Sequence, residues 1–533
     1  MLDLVFEGGR VVDGTGRPWF RGDVGIAAGR IVRVAPRITD SARVRLGVDR
    51  MVVAPGFIDV HAHSDFALFH DPSIVYKMSQ GITTEICGNC GVSAAPVRNG
   101  NLTRMQTDVC GNLEALPEWE TFEQYLQAAG ATPLGANAGW MIGYNTVREY
   151  VADVRPSLTA EESRRIMDLI SDAMRSGALG MSAGLVYEPA NYATTDDLVA
   201  VCEIVAGWKG IYATHTRGLR ETLVDGVNEA IEIGRKSGVP VEVSHLTPQY
   251  GGWDLIQPAL DAIDKARAAG VDMAFDLHLD SVGGTSALAT LPPWIKEGGV
   301  EAMVSRFQGR DARAKAVTAI QEFIGPGTSG FLRHARWDLL RVANSPLLPG
   351  LVGKSFQEIA STAGTSPWDA YLDAVIANRG TMRLIGLYTL SEDIRRVLAH
   401  PLSIVATDAD PTMSIPRNWS TIPKLLGRYV REEGVLSLED AVQKITSRPA
   451  TRFGLHDRGM LAEGFWADVV VFDPETISPT MTDEGVLAGE SYPDPRSPGI
   501  RYVAVNGTLA IEDGEPTGAL AGTALLKPVL AES

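Results

Sequence analysis

The chain has 533 residues, 45% of them hydrophobic and 21% charged, with 48 Lys plus Arg against 65 Asp plus Glu and a formal net charge of −17. That length is more than one ordinary domain needs and enough for a large core with an accessory unit. The acidic excess argues against a nucleic-acid or anionic-membrane partner, since both need basic patches. No apolar run approaches the roughly 20 residues that cross a bilayer. The amino end, Met1 to Arg10, lacks the basic start and apolar segment of a signal peptide. Four cysteines, Cys87, Cys90, Cys110 and Cys202, are too few for a disulfide framework in so long a chain. These features together predict a cytoplasmic protein and leave its oligomeric state open.

The first 54 or so residues read as all-β. Short strands are predicted at Leu4–Glu7, Arg10–Asp13, Gly22–Ile26 and Arg30–Val34, separated by glycine turns at Gly8-Gly9, Gly14, Gly16 and Gly29. The far end has the same character, at Ala467–Asp473 and Tyr502–Gly507. Few strands at either end can stand alone, since an isolated hairpin is marginal in water. One composite β-sandwich, from residues 1–55 and 450–533, is therefore expected.

Residues 56–449 change texture. Strand-like runs at Thr83–Cys87, Gly180–Ala183, Gly210–Thr214, Val241–Ser244, Val271–Asp276 and Ser403–Thr407 alternate with helical stretches such as Ala160–Ser176, Thr222–Ser237 and Trp253–Ala269. Repeated strand–helix units predict a parallel α/β fold. No Gly-x-Gly-x-x-Gly turn opens an early helix, which favours a closed (β/α)8 TIM barrel over an open nucleotide-binding sheet. The stretch from about 281 to 350 breaks the alternation and reads as an insertion or lid over the barrel mouth.

The chemistry-bearing stretch is Pro55-Gly56-Phe57-Ile58-Asp59-Val60-His61-Ala62-His63-Ser64-Asp65. Side chains two apart on a strand point the same way, so His61 and His63 aim into one space and suit a divalent transition metal. Further donors fall at other strand ends: Cys90 in Gly88-Asn89-Cys90-Gly91, His215, His245 and Asp408. Any one of these alone reads as an ordinary loop histidine, a small buried thiol or a helix N-cap. In a parallel barrel, however, all those ends converge on one mouth. Four of the 9 histidines occupy such positions, and the set is explained by a metal site. His70, His400 and His456 have no such placement and read as structural, and His334 falls in the irregular stretch.

With these residues in hand, the chain resembles the amidohydrolase superfamily, and within it the N-acyl-D-amino-acid deacylase (D-aminoacylase) family. The likeness spans nearly the whole length. Its carriers include the His61-Ala62-His63 stretch, Gly81-Ile82-Thr83-Thr84, Gly88–Gly91, Gly184–Pro189, His215-Thr216-Arg217, Ser244-His245, Leu291–Trp294, Thr446–Ala450 and Gly464–Pro474. The resemblance implies a barrel with a terminal β-sandwich and a site for one or two Zn²⁺. It places His61, His63 and Asp408 at one metal, His215 and His245 at the other, and Cys90 bridging. It implies hydrolysis of a non-peptide C–N amide bond in an N-acyl compound, by metal-activated water with Asp408 as general base and then general acid.

The substrate shell departs from the family pattern. A lysine usually stands two residues after the last metal histidine, and here that residue is Thr247. A tyrosine-rich Asp-x-Tyr-Pro-Tyr stretch becomes Asp276-Leu277-His278-Leu279-Asp280, and a His-Pro-Arg becomes Ile415-Pro416-Arg417. Tyr187 is kept. Losing an ammonium and gaining an aspartate weakens the grip on a free carboxylate. Candidate substrate contacts are Tyr187, Arg217, Thr247, His278, Asp280 and Arg417, with Arg217 or Arg417 replacing the lysine. A cyclic-amide hydrolase of hydantoinase type, or an amidase acting on a neutral amide, is the alternative. A deaminase would bring a His-x-x-Glu proton shuttle, which is not found near His245. A non-catalytic scaffold of the same fold would have lost metal ligands, and here every position is filled.

Overall fold

The computed structural model describes residues 1–98, 102–103, 106, 119–297, 299–323, 329–409, 415–490, 492, 494 and 496–527. Its centre is a ring of parallel strands that we label β1 (Phe57–Asp59), β2 (Ile82–Cys87), β3 (Asn137–Gly143), β4 (Gly180–Gly184), β5 (Ile211–His215), β6 (Val241–Val243), β7 (Met273–Leu277) and β8 (Ser403–Val405). Each is hydrogen-bonded in parallel to the next in chain order. The ring closes through a parallel bridge between Ala62 and Ala409, with Asp408 N–H donating to the His61 carbonyl at 2.9 Å and His63 N–H to the Ala409 carbonyl at 3.1 Å. The closure thus runs through the backbone of the His61-Ala62-His63 stretch itself. The expected (β/α)8 barrel is the fold.

Helices pack outside the ring because each presents an apolar stripe at helical spacing. Ala160–Arg175 starts from a Thr159–Glu162 capping box and buries Ile166, Ile170, Ala173 and Met174. Leu223–Ser237 ends on Gly238 in the left-handed conformation, the ordinary stop for a helix.

One barrel strand, β3, escapes a reading by residue type. Asn137–Gly143 is Asn-Ala-Gly-Trp-Met-Ile-Gly, with one β-branched residue and no alternation, yet every residue is buried. A small residue is needed at its end: a Cβ on Gly143 would lie 2.3 Å from the Gly91 carbonyl oxygen.

Both termini share one nine-stranded sheet. Val52–Pro55 and Val469–Phe472 pair antiparallel at its centre and join the amino-terminal strands to the carboxy-terminal ones. The predicted turn at Gly8-Gly9 is instead a bulge within a continuous strand, Leu2–Val11. At the far end, Ala524–Leu525 leaves this sheet and pairs in parallel with β3.

The stretch after β7 builds a core of its own. Three antiparallel strands, Val282–Ser286, Leu340–Asn344 and Arg383–Leu387, pack with short helices around Phe307, Phe331, Leu340, Phe356 and Tyr371. Because its central strand is Arg383–Leu387, this unit extends well past residue 350. It meets the barrel loops through His334 Nε2 and Glu221 Oε1 at 2.9 Å, and through Trp253 Nε1 donating to the Tyr388 carbonyl at 2.7 Å. Among the described residues no helix is long and apolar enough to cross a membrane.

Candidate metal centre

The six donors predicted from strand ends come together at the mouth. Cys90 Sγ lies 3.4 Å from His61 Nε2, 3.6 Å from His215 Nδ1 and 3.5 Å from His245 Nε2. Asp408 Oδ1 lies 3.4 Å from His61 Nε2 and 3.2 Å from His63 Nε2. Two groups of potential ligands therefore share His61: His61 with Cys90 and His245, and His61 with His63 and Asp408. The His215 ring stands edge-on to that of His245, with centroids 4.3 Å apart.

The local backbone is unusual at three of the six. Cys90, His245 and Asp408 have φ of 51°, 35° and 49°. A non-glycine residue held in that region costs about 1 to 3 kcal/mol and persists where the surroundings impose it. The two glycines flanking Asn89-Cys90 are required. A Cβ on Gly88 would sit 2.0 Å from the Met141 carbonyl oxygen, and one on Gly91 would sit 1.9 Å from Asn145 Oδ1.

Donor chemistry fits a divalent cation. Burial alone would raise the Cys90 thiol, but the charges of His61 and His245 and hydrogen bonds from His215 and His245 hold it well below its ordinary value. Burial would likewise raise Asp408, but Arg417 and His63 hold it well below the carboxylate range. Against the opposing effect of burial, hydrogen bonds to Asp408 and Cys90 lift His63 to about 10. Two anions and several imidazoles drawn to positive charge form a site in which a metal ion can replace protons. A thiolate with imidazoles and a carboxylate is a zinc-type donor set.

Asp276, to which residue pattern alone assigned no role, supports this set. Its carboxylate lies 3.2 Å from His61 Nδ1 and accepts from the His245 backbone N–H at 2.8 Å. It orients one ligand ring and the backbone of a second. An aspartate at the end of a barrel strand was the available signal.

The candidate substrate contacts divide. The Tyr187 ring packs edge-on against His215, with centroids 5.0 Å apart. Arg417 forms an ion pair with Asp408. Thr247 is buried, and its hydroxyl donates to the His245 carbonyl at 3.1 Å. His278 is buried, and burial and Arg417 hold it well below its ordinary value, so it stands neutral; its Nδ1 has no hydrogen-bond partner among the described residues. Asp280 accepts from the Arg417 backbone N–H at 2.9 Å and lies 3.6 Å from Lys424 Nζ, so its charge is engaged within the protein. The Arg217 guanidinium is bound to Glu229 at 2.9 Å and to the carbonyls of Asn191 and Ala193, so its charge is engaged within the protein.

Residues 50–510 match the model described as "Amidohydrolase family". The chain belongs to the amidohydrolase family. The D-aminoacylase of Alcaligenes xylosoxydans xylosoxydans is 33% identical over 99% of this amidohydrolase and 98% of its own length. A crystal structure of N-acyl-D-glutamate deacylase from Bordetella bronchiseptica, complexed with zinc and a phosphonate inhibitor that mimics the tetrahedral intermediate, superposes with a TM-score of 0.81 at 30% identity, covering 98% of this amidohydrolase and 99% of that chain. A D-aminoacylase structure concerned with its binuclear metal centre superposes equally well, with a TM-score of 0.81 at 32% identity, covering 99% of this amidohydrolase and all of that chain.

Proposed function

We propose that this amidohydrolase is a zinc-dependent deacylase that hydrolyses the amide bond of an N-acyl-D-amino acid. The observation that carries the reading is the convergence of Cys90 on three imidazoles at 3.4 to 3.6 Å, with Asp408 3.2 Å from the fourth, His63. Full-length relatives with D-aminoacylase and N-acyl-D-glutamate deacylase activity support the substrate class. His61, His63, Cys90, His215, His245 and Asp408 would hold one or two Zn²⁺, as in the binuclear relative. When bound, zinc polarises a substrate carbonyl and lowers the pKa of water toward about 7.

The protein's own groups do the proton transfers. Asp408, kept anionic by Arg417 and His63, takes a proton from the attacking water on a carboxylate oxygen and returns it to the leaving nitrogen. Neutral His278 and the edge of Tyr187 line the same space and orient the acyl group. With Thr247 in place of a lysine and Arg217 committed elsewhere, Arg417 is the cation assigned to the substrate carboxylate. Contacts of the unit around Val282–Leu387 with barrel loops at Glu221 and Trp253 support a role as a lid. Cys87, Cys90 and Cys202 are free thiols, which suits a cytoplasmic setting; Cys110 lies outside the described residues.

The test is turnover of a panel of N-acyl-D- and N-acyl-L-amino acids, hydantoins and lactams by purified protein, before and after chelation and after zinc is returned. Hydrolysis of N-acyl-D-amino acids that is lost with chelator and restored by zinc is expected. Turnover that survives complete metal removal, or that is confined to cyclic amides, overturns the assignment.

A further inference from the structure

Behind the metal ligands lies a buried charged cluster that the mechanism does not use. Lys77, from the short helix Val75–Met78, is fully buried. Its Nζ pairs with Asp59, donates to Thr407 Oγ1 at 2.7 Å and lies 3.7 Å from Glu85 Oε2. Asp59 and Glu85 are themselves buried, at 2% and 0% exposure. Two carboxylates therefore surround one ammonium away from solvent.

Among the described residues, bonds from Asp59, Thr407 and Glu85 reach His61 and the neighbours of His63 and Asp408. Asp59 Oδ1 accepts from the backbone N–H of His61 at 3.2 Å and of Thr407 at 2.9 Å. Thr407 Oγ1 donates to Asp59 Oδ2 at 2.5 Å and accepts from the Ala409 N–H at 3.0 Å. That hydroxyl has one proton and two lone pairs, and with Lys77 as its second donor all three are used. Ser64, which follows His63, donates to Glu85 Oε2 at 3.0 Å. The flanks of His61, His63 and Asp408 are thus tied to one another through Lys77, at the seam where β1 meets β8.

A buried ion cluster is not needed merely to hold two strands together, since an apolar set of similar volume is commonly as stable or more so. What the cluster adds is direction: each acceptor fixes a particular N–H, including the two on either side of Asp408, whose backbone φ is 49°. We infer that Lys77, Asp59 and Thr407 are positioning residues that set His61, His63 and Asp408 as one ligand group. The inference rests on the ligand assignment proposed above and needs no particular substrate.

Lys77→Met would leave two buried carboxylates unpaired and can fail to fold, so Thr407→Val is the primary variant and Thr407→Ser its conservative partner. Zinc affinity is measured by competition with a chromophoric chelator, and melting of the chelated protein reports the fold. Thr407→Val is expected to melt within a few degrees of wild type, to bind zinc about ten- to a hundredfold more weakly and to lose kcat with KM within twofold. Thr407→Ser is expected to regain both. Wild-type zinc affinity in Thr407→Val, or a loss that Thr407→Ser fails to rescue, overturns the inference. The zinc measurement stands even if no N-acyl-D-amino acid is turned over, so the two proposals fail separately.

Discussion

Replacing Asp408 with asparagine isolates the proton-transfer step. The side chain keeps its volume and one acceptor oxygen but loses its charge. The carboxylate meets Arg417, His63 at 3.2 Å and His61 at 3.4 Å, so three cationic or polar partners lose an anion together. Removing a general base lowers kcat by about 10²- to 10⁴-fold, equivalent to about 3 to 5 kcal/mol at 1.36 kcal/mol per decade. Breaking a fully buried ion pair costs about 3 to 5 kcal/mol of stability. Here the Asp408 side chain is 17% exposed, so a smaller loss and a melting shift of a few degrees are expected. Arg417, released from the carboxylate, remains able to hold a substrate carboxylate, so KM should stay level or fall. The assay is steady-state hydrolysis of an N-acyl-D-amino acid, normalised to zinc bound per chain, so that loss of metal is separated from loss of the base. A kcat within tenfold of wild type per bound zinc would remove Asp408 from the proton transfer.

Cys90→Ser, which exchanges a thiolate for a hydroxyl among three imidazoles, is expected to lower zinc stoichiometry, read by elemental analysis after dialysis. Asp276→Asn keeps the size of the group that orients His61 and the His245 backbone but weakens its acceptance; zinc affinity should fall about 10- to 100-fold with the fold intact, read by chelator competition. Arg417→Met should raise KM for N-acyl-D-amino acids far more than for an uncharged N-acyl amine, while Arg217→Met should instead lower the melting temperature by breaking its pair with Glu229. Lys444 supplies a pH test away from the site. Burial depresses it to about 7, with Arg448 adding repulsion, and its Nζ donates only to neutral acceptors, the His400 carbonyl and Ser403 Oγ, among the described residues. Its folded pKa lies below its unfolded value of 10.5, so the unfolded state binds the extra proton between them. Stability from this group is therefore full above about 10.5 and is lost as pH falls through 7. Wild type should gain melting temperature between pH 7 and 10 relative to Lys444→Met, and parallel curves would refute the depression.

Much of the site was legible because its information is local. His61-Ala62-His63 places two imidazoles on one side of a strand end by geometry alone, and Gly88-Asn89-Cys90-Gly91 announces a turn that only glycines can make. Hydrophobic runs alternating with helical stretches named the barrel, and the ends of four of the six runs located Cys90, His215, His245 and Asp408. Thr247 in place of a lysine was visible only against the family pattern that the resemblance supplied. Other features were not legible, because they depend on which distant group a residue meets. Asn137–Gly143 is a strand because its neighbours bury it on all sides, although it has one β-branched residue and no alternation to announce it. Arg217 adjoins His215 and Thr216, yet its guanidinium turns to Glu229, twelve residues on. Arg417 is readable as a substrate contact, but nothing in the residue pattern announces its ion pair with Asp408 nine residues back. Lys77 and Thr407, separated by 330 positions, share a hydrogen bond behind the ligands. Short-range chemistry is written into residue spacing, whereas the choice of partner for a long charged side chain is made when closure of the barrel brings β8 beside β1.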